Sequence, residues 1–175
     1  MGNDVDETKV QGLRGRGFRT LCSIGNLFDL SIPETANLYS CGVYAITIPE
    51  GYTPSFIGPA QARANKNVLS PLPVEVLRAK WVPEVDVVYI GLAGRNSDRT
   101  LCERLGDLRR HGLGRTTKKG PHKGGEILWQ LVGYKDFLVW YLPTDPPPEP
   151  RDTEAELIHS FREGTGRLPF ANRQR

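Results

Sequence analysis

Two tyrosines, an arginine and a glutamate sit inside apolar patterns of this sequence. Tyr44 lies in GVYAI (42–46) and Tyr89 in VVYIGLAG (87–94), each two positions from a glycine. Arg104 falls within the stripe made by Leu101, Leu105 and Leu108, with His111 continuing the same helical face. Glu154 completes an i, i+3, i+4, i+7 set with Leu157, Ile158 and Phe161. Burying either charge alone costs several kcal/mol, so each requires a partner, a metal or a ligand. Singly, each has a structural explanation. A first-turn glutamate favours a helix N-terminus by about 0.3–1 kcal/mol, and an arginine stem can cover apolar surface. Together they are a proton acceptor, a phosphate clamp and a hard-cation ligand, the parts needed for metal-assisted phosphodiester hydrolysis.

The elements that must position these groups follow from local pattern. CGVYAITI (41–48) and VDVVYIG (85–91) have the β-branched and aromatic content of strands. The intervening residues hold Pro54, Pro59, Pro71, Pro73 and Pro83 and predict an excursion with one short helical piece near VEVLRAKW. SDRTLCERLGDLRRHG (97–112) predicts a helix capped by Ser97 or Asp98 and ended by Gly112. GEILWQLV (125–132) and DFLVWYL (136–142), separated by GYK, predict a hairpin. PTDPPPEPR (143–151) predicts an extended linker, and TEAELIHSFREG (153–164) a final helix with a Thr153–Glu156 capping box. The order is that of an α+β fold: a small mixed or antiparallel central sheet flanked by helices. Residues 1–40 read as an N-terminal arm and flanking segment, in which LCSIGNLFDL is a short strand or a helix. Residues 41–175 then form the domain, with an insertion at about 45–84.

Composition limits the partners. With 175 residues the chain can bury one real core, and no stretch approaches the length of a membrane span. The polar start MGNDVDETK is unlike a signal peptide. Cys22, Cys41 and Cys102 form no CxxC pair, which argues against a disulfide framework or a zinc module. A cytoplasmic location is the expectation. Net charge is +3, yet residues 95–123 hold nine basic and three acidic side chains while the rest of the chain is net acidic. Such a concentration is the footprint of a polyanion partner.

These residues resemble the signature of the GIY-YIG nuclease superfamily. GVY (42–44) and YIG (89–91) match its two strands, and LCERL places Arg104 on its arginine-bearing helix. The late pattern E-x-x-L-I followed by P-x-x-N matches Glu154, Leu157 and Ile158, then Pro169 and Asn172. The resemblance spans residues 41–175, and HKGGEILWQL and GRLPFAN are similar to stretches of bacterial proteins of that superfamily. It implies that Tyr44 and Tyr89 meet above the helix of Arg104 and that one of them activates water. It implies further that Arg104 steadies the phosphate, Glu154 holds a single Mg²⁺ or Mn²⁺, and Asn172 fixes local geometry. Residues 45–88 are a longer connection than the family's usual one. Leu92 stands where the family often has lysine, leaving Arg95 as a nearby cation. Leu108 stands where some branches have histidine, so His111 and His122 are the histidines left to consider, and His122 is the candidate proton shuttle.

The implied partner is DNA. Arg109, Arg110, Arg115, Lys118, Lys119 and Lys123, with Arg95 and His111 beside them, form the expected phosphate track, giving affinity and salt dependence without reading sequence. The reading is therefore a metal-dependent DNA endonuclease. Its rivals are a non-catalytic nucleic-acid-binding module on the same fold, and a purely structural tyrosine core with a surface ion pair.

Overall fold

The computed structural model describes residues 6–31, 33, 36–115 and 122–173. Lys118 and Lys119 lie outside the described residues. In chain order the elements are α1 (Val10–Gly15), β1 (Arg19–Ser23), α2 (Ile24–Phe28), β2 (Gly42–Thr47), α3 (Pro59–Ala64), α4 (Val74–Lys80) and β3 (Val87–Ala93). There follow α5 (Leu101–Gly112), α6 (Gly125–Leu128), a 3-10 turn (Tyr134–Asp136), β4 (Leu138–Pro143) and α7 (Glu149–Thr165). Among the described residues no helix is long and apolar enough to cross a membrane.

The fold is α+β, with a four-stranded open sheet ordered β1-β4-β2-β3 and antiparallel at every pairing. β2 and β3 are buried along their whole lengths because both faces of the sheet are covered. On one face Tyr44, Ile46 and Tyr89 join the core that includes Phe28, Leu105, Leu108 and Trp129. On the other, Val43, Ala45, Ile90 and Leu92 join Leu13, Leu157 and Phe161. Successive side chains alternate across a strand, so each strand supplies both cores.

Four local expectations are corrected. The described part of residues 1–16 is not a loose arm. Leu13 of α1 is fully buried, and β1 pairs with β4 as an edge strand of the same sheet. LCSIGNLFDL is strand and then helix, the change being made at Ser23, whose Oγ accepts from Asn26 N–H at 3.2 Å. The helix around Arg104 starts later than Ser97 or Asp98. Thr100 caps it through a reciprocal box with Glu103.

The predicted hairpin is absent. Residues 125–128 form the single turn α6, and only the second run is a strand. A short apolar run carries no period that separates strand from buried helix. Here the helical spacing of Glu126 and Gln130 decides the matter. Glu126 accepts from the backbone N–H groups of Leu69 and Ser70, at 2.8 and 2.9 Å. Gln130 accepts from Leu72 N–H at 2.8 Å and donates to the carbonyls of Ile57 and Leu72. These bonds fasten the β2–β3 connection, which carries both α3 and α4, to the body of the protein.

The last helix begins at Glu149, so the Thr153–Glu156 cap is not formed and the proline-rich stretch is partly helical. This bears on Glu154, which is the sixth residue of α7 and 5% exposed. The macrodipole acts within the first turn. A first-turn role therefore does not account for this carboxylate.

Candidate active site

The pairing of β2 with β3 sets Tyr44 opposite Gly91 and Ile46 opposite Tyr89. The two tyrosines are thus diagonal neighbours on one face, with ring centroids 5.7 Å apart. Gly91 makes this possible. A β-carbon there would lie 2.7 Å from both Cζ and Oη of Tyr44, so the Tyr44 ring occupies the volume a side chain would take. Gly124 does the same for Tyr89, since a β-carbon at that position would lie 2.3 Å from its Cε2. The glycine of GVY has a different reason: a β-carbon at Gly42 would meet the Leu142 carbonyl oxygen of β4 at 2.3 Å.

His122 closes the cluster. Its Nε2 lies 2.7 Å from Tyr44 Oη, and its ring centroid is 5.7 Å from that of Tyr89. The Gly125 N–H donates to His122 Nδ1 at 3.0 Å, so Nδ1 is an acceptor and carries no proton. Burial, reinforced by the nearby Arg104 charge, holds the ring well below its ordinary pKa of 6.5, leaving it neutral. The neutral ring must therefore carry its proton on Nε2 and donate it to Tyr44 Oη.

Both phenols are raised above their ordinary pKa of 10, chiefly by burial. On Tyr89 two influences oppose this: the charge of Arg104, and hydrogen bonding from Tyr44 and Arg104. Arg104 is in turn raised, first by Tyr44. It is half-buried, with Asp107 one turn along the helix at 3.9 Å. Asp107 also receives Arg99 and Arg110, so one carboxylate gathers three guanidinium groups. Nothing in the sequence reading had singled out Asp107, although its i+3 spacing to both Arg104 and Arg110 was there to be read.

Tyr89, Arg104, Glu154 and Asn172 line a single cleft of about 470 Å³. Tyr44 is fully buried behind it. Asn172 touches the cleft but acts on the backbone. Its Oδ1 accepts from Ile90 N–H at 3.0 Å and its Nδ2 donates to the Ile90 carbonyl at 2.8 Å. With Ala171 N–H on the Val88 carbonyl at 2.9 Å, the C-terminal segment closes the open edge of β3 beside Tyr89.

The cleft also presents Arg95, Arg99, Lys123 and Arg173, and Glu154 is its one lining carboxylate among the described residues. Of the track predicted from sequence, Arg95 and Lys123 are thus at the site and exposed. Arg115 is exposed, and Arg110 is engaged with Asp107. Arg109 donates to the Phe28 carbonyl at 2.8 Å, tying α5 to α2. His111 is buried away from the cleft lining: its ring is 3% exposed, accepts from Trp129 Nε1 at 3.1 Å and faces Glu126 at 3.4 Å.

Among the described residues no three His, Cys, Asp or Glu side chains are grouped to hold a metal. The cleft's one carboxylate among the described residues is the hard oxygen donor Glu154. That set suits Mg²⁺, which is commonly held by one or two carboxylates together with waters and substrate phosphates. The site is thus a cationic cleft on an α+β domain, lined by the Tyr89 phenol with Tyr44 buried behind it, and holding one buried carboxylate. Comparison of the chain with protein-family models, curated proteins and solved structures finds no match.

Proposed function

We propose that this protein is a GIY-YIG-type, metal-dependent endonuclease that hydrolyses phosphodiester bonds of DNA. The observation that carries the reading is the convergence of Tyr89, Arg104 and Glu154, from three separate elements, on one cleft whose other charged side chains are cationic. A cationic cleft concentrates a polyanion, and the three groups are those that phosphodiester hydrolysis requires.

Tyr89 is the phenol presented to the cleft, so it is the group placed to take the proton of the attacking water. Tyr44 works from behind. It accepts a hydrogen bond from His122 Nε2–H and directs its own hydroxyl at Tyr89, stabilising the phenolate without touching substrate. Arg104 stabilises the same phenolate and clamps a phosphate oxygen. Glu154 would hold Mg²⁺ or Mn²⁺, which supplies polarisation of the phosphate and stabilisation of the leaving oxygen. As the water oxygen bonds to phosphorus, its proton passes to the Tyr89 phenolate and the ester P–O bond breaks. Asn172 keeps β3, and with it Tyr89, in register.

The test is Tyr89→Phe, measured for both DNA affinity and cleavage. Loss of cleavage with affinity retained supports the enzyme. A wild-type protein that binds DNA and cuts none, under the same metal conditions, supports the binding module instead.

A further inference from the structure

A second depression adjoins the cleft and shares Asn172 and Arg173 with it. It is larger, about 640 Å³, and lies between the end of α4, the outer side of α7 and the C-terminal segment. Lys80, Arg162, Arg167 and Arg173 line it together with His159, and no lining side chain is acidic. Two of the cations are tied to backbone: Arg167 donates to the carbonyls of Ala79 and Trp81, at 2.9 and 3.3 Å, and Lys80 reaches the Asn172 carbonyl at 3.4 Å. Arg162 and Arg173 are exposed, and neither is ion-paired among the described residues.

Like charges crowded round one depression repel, and Lys80 shows it. Its pKa is lowered by burial and then by Arg173. A polyanion seated there relieves the repulsion. The geometry also has a direction. Glu154, Ile158 and Arg162 recur at i, i+4 and i+8 and so follow one helical stripe from the cleft into the depression. Eight residues of helix rise about 12 Å, which matches roughly three to four base steps at 3.4 Å each.

We propose that this groove seats the backbone phosphates of the DNA flanking the scissile bond, making it a second arm of the DNA-binding surface beside the cleft that Arg95 and Lys123 line. The proposal rests on the nuclease reading of the adjoining cleft. It differs from the sequence expectation in drawing its cations from the end of α4, α7 and the C-terminal tail.

The test is the double variant Arg162→Gln, Arg173→Gln, with Arg162→Gln alone beside it because Arg173 also lines the cleft. Binding of a labelled duplex is followed by anisotropy in EDTA, over about 50–200 mM salt. The groove predicts a salt slope shallower by about 2 and affinity lower by about tenfold near 150 mM salt, with an unchanged melting temperature. An unchanged slope, or no duplex binding by the wild type, overturns it. So does a melting temperature raised by inorganic phosphate in wild type alone, if the duplex slopes are equal, because the groove is then a small-anion site. Cleavage is scored separately with Mg²⁺. Cutting by the wild type with an unchanged slope in the variants sinks the groove alone, whereas a reduced slope in the variants with no cutting by the wild type sinks the nuclease reading and leaves the groove as a DNA-binding surface.

Discussion

Tyr44 Oη and His122 Nε2 are 2.7 Å apart across 78 positions of sequence, and a third atom sets the direction of the bond between them. Because the Gly125 N–H occupies His122 Nδ1, the histidine is donor and the tyrosine acceptor. His122 therefore supports Tyr44 as a hydrogen-bond donor, not as a proton-accepting base. The predicted NMR signature is a neutral ring protonated at Nε2 from about pH 8 down past its ordinary 6.5. An imidazolium, or a proton on Nδ1, would contradict the assignment.

Stability should carry the same mark. His122 and His111 both have folded-state pKa values below their ordinary 6.5, in each case chiefly through burial. Between 6.5 and those lower values the unfolded chain binds protons that the folded chain does not. Stability is then complete above pH 6.5 and declines as pH falls, by up to about 1.4 kcal/mol per unit for each histidine. Urea midpoints at about pH 7.5 and about pH 5.5 measure this, and His122→Gln should shrink the difference. A larger difference in the variant would refute it.

Gly91→Ala tests the packing of the site. The new methyl must displace the Tyr44 ring, an overpacking that costs about 1–3 kcal/mol. Cleavage should fall with it, since the phenol pair is pulled apart. Gly58→Ala is the control. Nothing lies within 4 Å of a β-carbon there and its φ is −68°, so denaturation midpoints should move by less than about 0.5 kcal/mol.

The raised phenol pKa values predict how cleavage depends on pH. Both tyrosines titrate above 10, so at neutral pH only a small fraction of Tyr89 is phenolate. The rate of cleavage should climb about tenfold per pH unit from about pH 6 to about pH 9 without a plateau. A bell-shaped profile with an inflection near pH 6–7 would instead assign the proton transfer to a histidine.

Asp107 is a positioning residue in this account. Asp107→Asn removes the carboxylate beside Arg104 and frees the charge of Arg99, which also lines the cleft. DNA affinity should hold or tighten, while kcat falls by about 10- to 100-fold through misplacement of the guanidinium. A loss confined to affinity would show that Asp107 does not act through Arg104.

The parts of the site that could be read from sequence are those written in a local period. Strand alternation places Tyr44 and Tyr89, and the leucine stripe of α5 fixes which way Arg104 faces. Glu154 was legible from its helical spacing, but the start of its helix was not, because Pro148 at the N-cap and Pro150 in the first turn disguise that turn as linker. α6 was hidden for another reason. Its residues are buried on all sides, and Glu126 within it and Gln130 just beyond it bond to a loop more than fifty positions earlier. His111 kept the helical face assigned to it, yet that face turned out to pack against Glu126 and Trp129. The second groove had no sequence signal at all, since its cations come from positions 80, 162, 167 and 173 and only the fold assembles them.

Nicking of supercoiled plasmid in Mg²⁺ or Mn²⁺, by wild type beside Glu154→Gln and Glu154→Ala, tests the central claim most directly. Metal-dependent nicking by the wild type should be lost in both variants, with the Gln variant still folded and still binding DNA. Equal cutting by all three proteins would contradict it, because Glu154 would not be the metal ligand. Failure of the wild type to cut plasmid, branched or single-stranded DNA would contradict the nuclease itself.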